Sequence, residues 1–178
     1  LDVPVDQLDC TWGDSATCTW DFVSDASRAV HCHGKAMYNA AIDLRRQLEA
    51  RRAGKNVVRT DFTPYFDPAT DLNPYLDEST GKVVKNPMPK LHEQTEALAR
   101  QIVAEGGLVG LGFYVWNPSA ESWGASFAEV EVDMETGQVA VLKLDGAHDC
   151  GRVIHTPGAL AQVDGGTIMG LGYATTEE

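Results

Sequence analysis

The first chemically suggestive feature is a serine and an arginine that precede a long helical pattern. Ser24-Asp25-Ala26-Ser27 is typical of a helix start, because Ser24 or Asp25 can accept hydrogen bonds from the unpaired N–H groups of a first turn. The N-terminus of a helix carries about half a positive charge, which suits a phosphate bound beside Ser27 and Arg28. The alternative is that Ser24 and Asp25 only cap the helix and that Arg28 is solvated.

Two histidine motifs and an acidic stretch look like sites but fail on geometry or spacing. On a helix, His31 and His33 point about 200° apart, so they cannot share a metal ion. His148 and Asp149 are adjacent on a predicted strand and face opposite ways, which argues against an acid–base pair. Asp67, Asp71, Asn73 and Asp77 resemble a calcium loop in composition only, since the glycine that such a loop requires is missing.

Composition and charge exclude several classes of protein. Hydrophobic residues make up 43% of the 178 residues and charged residues 22%, as in an ordinary globular protein. A net charge of −12 argues against a nucleic-acid surface, and no run of about 18 apolar residues indicates a membrane span. The cysteines lack metal-site spacing and are predicted to be reduced thiols in a cytoplasmic protein; they are Cys10, Cys18, Cys32 and Cys150.

Periodicity predicts two or three helices. The first runs from residues 24–27 to about Arg52, with Gly54 as its stop. A second is expected over about 90–105 and a third over about 158–173. The apolar face of the first helix is predicted to comprise Met37, Ala41, Leu44 and Leu48.

Alternating apolar residues predict strands, and the class is therefore α+β. Short strands are expected at 9–12, 57–60, 82–84 and 108–115. An antiparallel hairpin is expected at about 123–145, with a turn at Met134–Gly137 and a bulge that corrects the register. Residues 61–80 are interpreted as a surface insertion loop. We expect residues 1–178 to be a single fragment of one domain, truncated at both ends.

The last third of the chain carries five motifs in a fixed order. They are Phe127–Asp133, Thr136-Gly137, Ala147–Ile154, Gln162–Gly166 and Gly170–Ala174. This order resembles the molybdopterin-binding subunit of the xanthine dehydrogenase and aldehyde oxidase family. Ser24–Ala29, followed by Gly34-Lys35-Ala36, resembles the Ser-Arg-Ser helix start of that family. The chain has Ala29 where the family often has a second hydroxyl, and His155-Thr156 where it usually has Asn before proline.

The resemblance implies a set of cofactor contacts, and the expected ligand is a molybdenum–molybdopterin cofactor, as such or extended as the cytosine dinucleotide. The implied contacts are Ser27, Arg28, Ala29, Gln162, Gly165 and Gly166. A primary amide both donates and accepts, so Gln162 can match a pterin edge. The alternative is that Gln162 is an ordinary polar position and that the glycines serve helix packing. We expect the segments near Ser27 and Gln162 to meet around the cofactor.

The resemblance also implies an activity that this chain cannot perform alone. Such enzymes hydroxylate a heteroaromatic, purine-like ring or an aldehyde, with water as the oxygen source. Their iron–sulfur clusters and FAD lie on other domains or subunits, which would be partners together with the rest of the molybdopterin subunit. The glutamate that acts as base in the family lies beyond Glu178, so no catalytic residue and no metal ligand is expected here. The isolated fragment is expected to be inactive and free of cofactor. The alternative is a non-catalytic α+β interaction module.

Overall fold

The computed structural model describes residues 1, 3–18, 27–65, 93–114 and 122–177, together with the backbone of two short strands. Helices and antiparallel strands occur together, so the predicted α+β class is confirmed. The chain divides into two compact units, Leu1–Asn117 and Pro118–Glu178. No helix in the described part of the chain is long and apolar enough to cross a membrane.

The first unit is built on helix α1, Ala29–Arg52. Its predicted end is confirmed, because Gly54 has a φ of +76° and stops the helix as expected. Its predicted start at residues 24–27 is wrong. Ser27 has a φ of +56°, in the left-handed region, and cannot belong to the helix. Arg28 is the N-cap residue, and Ser24 and Asp25 lie outside the described residues.

An extended segment, residues 108–113, lies directly on α1. A Cβ added to Gly110 would lie 2.3 Å from the Ala40 carbonyl oxygen, and one added to Gly112 would lie 2.1 Å from that of Ala36. Only glycine allows this approach. A regular strand was predicted over 108–115, but the described part makes a single parallel bridge, between Tyr65 and Gly112. The described part of the segment therefore packs against helix α1, and its neighbours are not the paired strands of a sheet.

Three polar side chains of α1, one turn apart, hold this segment by its backbone. Asn39 donates to the Phe113 carbonyl at 2.9 Å, and Gln47 donates to that of Val109 at 2.8 Å. Between them, Asp43 Oδ2 accepts from the Leu111 N–H at 2.9 Å. Four residues of helix rise about 6 Å and two extended residues span about 6.6 Å, so the two spacings match. We call this arrangement the polar ladder.

The polar ladder is reinforced by a half-buried ion pair. Arg59 Nη1 contacts Asp43 Oδ2, and the two side chains are 11% and 18% exposed. Arg59 also donates to the carbonyl oxygens of Val109 at 3.1 Å and Thr63 at 2.9 Å. The predicted strand at 57–60 is wrong: no strand forms there, and Arg59 bonds to its neighbours through its side chain. The predicted strand at 9–12 is also wrong, because no strand forms there. The regular element nearby is a 3-10 turn, Val5–Gln7.

A small apolar cluster completes the first unit. Phe62, Ala99 and Leu111 are buried, and Val103 and Val109 pack against them. The guanidinium of Arg100 lies 4.5 Å from the centre of the Phe62 ring. Met37, predicted to face the core, is instead 67% exposed, because the inward face of α1 is largely occupied by the polar ladder.

The second helix, α2, spans Glu93–Ala104 and ends before Gly106, whose φ is +85°. Two short strands, β1 (Leu76–Asp77) and β2 (Lys82–Val83), pair antiparallel. The strand predicted near 82–84 is thus present. Leu76–Asp77 falls inside the stretch interpreted as an insertion loop, and most of residues 61–80 after Tyr65 lie outside the described residues.

The second unit consists of a hairpin and a helix. Strands β3 (Trp123–Val132) and β4 (Val139–Asp149) pair antiparallel, and Gly137 turns the chain with a φ of +73°, as predicted. The predicted bulge is present: Glu129 pairs with Lys143 and Val130 with Val141, which leaves Leu142 as the extra residue. Helix α3, Thr156–Thr175, packs on β4. None of the residues described in this unit is fully buried.

Candidate cofactor-binding site

The Ser27-Arg28-Ala29 segment forms the entry to α1. Ser27 is exposed and left-handed, Arg28 adopts φ −92° and ψ 0°, and Ala29 is the first helical residue. The Arg28 side chain makes no capping hydrogen bond, while its carbonyl accepts from the Cys32 N–H at 2.8 Å. The first N–H groups of a helix point out of its end and carry partial positive charge. This entry therefore has the polarity expected for an anion contact.

Sequence reasoning missed two polar contacts of α1, one in its first turn and one farther along the helix. Tyr114 and His31 are joined by a 3.0 Å hydrogen bond between the hydroxyl and Nε2, with their rings edge to face. Asn39 is fully buried where it bonds to Phe113. The four-residue spacing of Asn39, Asp43 and Gln47 was the available signal. Within the described residues, no group of three or more His, Cys, Asp or Glu side chains could hold a metal ion.

Helix α3 packs on β4 through one stripe of residues. Ala159, Val163, Thr167 and Leu171, spaced four apart, are half-buried, and Thr167 Oγ1 lies 3.4 Å from where a Cβ on Gly146 of β4 would sit.

Gln162 is exposed and lies one turn before Gly166, on a side different from the half-buried stripe. Gly165 is rotated about 100° from Gly166 and faces another direction. A Cβ on either glycine would meet nothing within 4 Å. The helix thus brings Gln162 and Gly166 together and sets Gly165 apart.

His148 and Asp149 have structural positions at the end of β4. A Cβ on Gly124 would lie 2.8 Å from His148 Nδ1, so the imidazole packs on the opposite strand. Asp149 Oδ1 accepts from the Gly151 N–H at 3.0 Å and shapes the turn that follows. Both side chains therefore have structural contacts at this end of the strand.

A scan against known families matches the molybdopterin cofactor-binding domain over residues 1–178. The chain belongs to this family. The family includes parts of xanthine dehydrogenase and aldehyde oxidase-type enzymes, as the order of motifs predicted.

Several curated relatives resemble this molybdopterin-binding domain. A probable hypoxanthine oxidase of Escherichia coli K12 is 38% identical over 73 residues, which is 41% of this chain and 8% of the relative. An indole-3-acetaldehyde oxidase of Zea mays is 32% identical over 124 residues, 68% of this chain and 8% of the relative. Probable aldehyde oxidase 2 of Oryza sativa is 38% identical over 68 residues, 35% of this chain and 5% of the relative. No solved structure gave a significant match.

Each of the two units carries donor groups whose chemistry suits the organic part of a molybdopterin. A side-chain amide at Gln162, a hydroxyl at Ser27 and a guanidinium at Arg28 can bond to pterin edges and phosphate oxygens. The open surface over Gly166 leaves room for close approach to the helix backbone. The described residues offer no direct set of metal ligands, so the fit is to the pterin and phosphate and not to the metal.

Proposed function

We propose that this domain is part of a molybdenum hydroxylase that oxidises a heteroaromatic, purine-like compound or an aldehyde with water as the oxygen source. The family match over the whole chain carries the proposal. The relatives are named as hypoxanthine and aldehyde oxidases, and the matched segments span only 5–8% of their lengths. The chemistry of the whole enzyme therefore depends on residues outside this chain.

Gln162 is the proposed recognition residue of α3. Its exposed amide would bond to the pterin as both donor and acceptor, and Gly166 on the same flank would allow close approach. Gly165 faces elsewhere on the helix and would contribute through its backbone alone. When bound, the cofactor would supply the redox-active molybdenum centre.

Ser27, Arg28 and Ala29 are proposed to bind an anionic group of the cofactor. The exposed Ser27 hydroxyl, the Arg28 guanidinium and the N–H of Ala29 are donors at the positive end of α1. In a protein with a net charge of −12, such local donors would have to offset the unfavourable overall field. None of these residues is proposed to carry out the chemical step.

The remaining parts of the proposal concern the complete enzyme. We propose a cytoplasmic protein in which iron–sulfur clusters and FAD on other domains or subunits receive the electrons. The rest of the molybdopterin subunit would cover the exposed apolar side chains of the second unit, such as Trp123 and Tyr173. The cofactor would be molybdopterin or its cytosine dinucleotide. The isolated 178-residue chain should be inactive and contain no molybdenum, which elemental analysis of the purified chain would check.

The test is the molybdenum content of the full-length parent protein. Gln162→Ala removes one hydrogen-bonding group, and Ser27→Asp places a negative charge where an anion is proposed to bind. A neutral hydrogen bond is worth about 0.5–1.5 kcal/mol and one to a charged group about 1.5–3 kcal/mol. Gln162→Ala should therefore bind cofactor up to about tenfold more weakly, and Ser27→Asp about tenfold or more weakly. Gln101→Ala is the matched control, because Gln101 is an exposed glutamine of α2 bonded only to Glu105 among described residues.

Molybdenum per protein is measured by elemental analysis, with circular dichroism as the check on folding. A normal molybdenum content in both folded variants would favour the alternative, a module that keeps the scaffold and does not contact cofactor. Loss of molybdenum in Gln101→Ala as well would show that the assay reports folding and not contact.

A further inference from the structure

The first turn of α3 is capped by an imidazole. His155 precedes the helix in an extended conformation, φ −132° and ψ 95°, and its Nδ1 accepts a hydrogen bond from the Gly158 N–H at 3.1 Å. The His155 carbonyl accepts from the Ala159 N–H at 3.0 Å, which is the first helical bond. Pro157 has no N–H to satisfy. His155 therefore occupies the position that Ser, Thr, Asp or Asn usually takes.

This capping bond can form only when Nδ1 of the His155 ring carries no proton. A backbone N–H can only donate, so Nδ1 must carry a lone pair, and the neutral ring must bear its proton on Nε2. A protonated imidazole has a hydrogen on both nitrogens and cannot accept. Protonation would also place a positive charge at the positive end of the helix. Both effects oppose the cap.

Gly158 is matched to this cap. A Cβ at position 158 would lie 2.6 Å from His155 Nδ1, closer than real side chains allow. The absence of a side chain at position 158 is what lets the ring approach the N–H. The pair is thus specific, since a larger residue at 158 would push the imidazole away from the amide.

We propose that His155 is a pH-sensitive N-cap that orders the first turn of α3 while its ring is neutral and releases that turn when the ring is protonated. Histidine is the side chain whose ordinary charge change lies between about pH 5 and 8, so acidification through that range is the condition under which release of the turn is tested. The inference concerns the helix alone and stands whether or not α3 contacts a cofactor.

The charged groups around the cap are few. Asp164 is the charged residue within α3, and Arg152 lies in the connection that precedes it. On β4, Asp149 is the last residue, and Lys143 and Asp145 pair with each other. On β4, which packs against α3, His148 lies near the Gly146–Thr167 contact, three turns along the helix from His155. Among the described contacts, none joins these side chains to His155. His148 is an imidazole on the strand that packs against α3, so it has to be controlled for.

The test is NMR spectroscopy of the 178-residue chain as a function of pH. At pH 7.5, the nitrogen shifts of the His155 ring should show the proton on Nε2. Between pH 7.5 and 5.5, the protection of the Gly158 amide against hydrogen exchange, corrected for intrinsic rates, should fall about fivefold, the effect expected for loss of one cap. The carbon shifts of Thr156–Ala159 should move toward coil values over the same range.

Three variants make the result specific. His155→Asn keeps an acceptor without a titrating group and should hold Gly158 protection constant over this pH range. His155→Ala should show low protection at both pH values. His148→Asn should behave like the unmodified chain. The proposal is overturned if the ring carries its proton on Nδ1 at pH 7.5, if Gly158 protection does not fall, or if His155→Asn shows the same fall.

Discussion

In the first unit an extended segment is tied to a helix by contacts far apart in sequence, whereas the second unit is shaped by local signals. Segment 108–113 is held by Asn39, Asp43 and Gln47, and Gly110 and Gly112 let it reach the α1 backbone. The hairpin and α3 instead rely on a glycine turn and a histidine cap, and none of their described residues is buried. The comparison predicts that single changes cost more stability in the first unit.

Removal of the central carboxylate of the polar ladder should have the largest effect. Asp43→Ala leaves the Leu111 N–H without its acceptor and the Arg59 guanidinium without its carboxylate partner. Breaking a buried pair from one side costs about 3–5 kcal/mol, and partial exposure places this case near about 3 kcal/mol. Urea unfolding of the chain, followed by circular dichroism, measures the loss. Asp145→Ala, which breaks an exposed pair with Lys143, is the control and should cost at most about 1 kcal/mol. Equal losses would refute the comparison.

A methyl group between the segment and α1 should have the next largest effect. In Gly112→Ala the new Cβ would lie 2.2 Å from the Ala40 nitrogen and 2.1 Å from the Ala36 oxygen, so the backbones must separate. Such overpacking costs about 1–3 kcal/mol. Gly165→Ala is the matched change in the second unit, where the Cβ meets open space. It should stabilise α3 by up to about 1 kcal/mol. Thermal unfolding of both variants measures the difference. If the segment does not contact α1, Gly112→Ala should not be destabilising.

The hairpin turn should show a smaller effect. Gly137 has a φ of +73°, a conformation that costs a residue with a Cβ about 1–2 kcal/mol. Gly137→Ala should therefore destabilise the hairpin by about that amount, while Gly137→Asn should lose less, because asparagine tolerates this conformation. Amide exchange of β3 and β4 followed by NMR reports the local loss. If alanine and asparagine are equivalent, the φ at this position is not the reason for the glycine.

The stability of the same turn should depend weakly on pH, and only under acidic conditions. The N–H groups of Glu135 and then Thr136, together with the Thr136 hydroxyl, lower the pKa of the Asp133 carboxyl. A carboxyl with a lowered pKa in the folded state contributes stability above its unfolded pKa and loses that contribution as pH falls through the folded value. We expect the Glu135 and Thr136 amide shifts to move together only at strongly acidic pH. In Asp133→Asn this joint titration should vanish; its persistence would assign it to another group.

Sequence patterns predicted the local elements well and the long-range contacts poorly. The hairpin, its bulge and its turn follow from alternation and from Gly137, and the end of α1 follows from Gly54. The same alternation predicted a strand over 108–115, because an extended segment packed on a helix has the pattern of a strand. The polar ladder was missed since Asn39, Asp43 and Gln47 resemble a solvated helix face.

The candidate site also has features that the sequence predicts and features that it does not. The four-residue spacing of Gln162 and Gly166 places them on one flank, which helical geometry alone predicts. The left-handed Ser27 could not be read from sequence, because serine has no special preference for that region. The capping role of His155 was also missed, since imidazole is an uncommon N-cap acceptor.

The most direct test of the proposed cofactor role is a structure of the full-length protein with its molybdopterin bound. We predict that the Gln162 side-chain amide lies within hydrogen-bonding distance of the pterin, and that a donor of Ser27, Arg28 or Ala29 contacts an anionic group of the same cofactor. A bound cofactor that leaves Gln162 and the entry to α1 in contact only with protein or water would contradict the account.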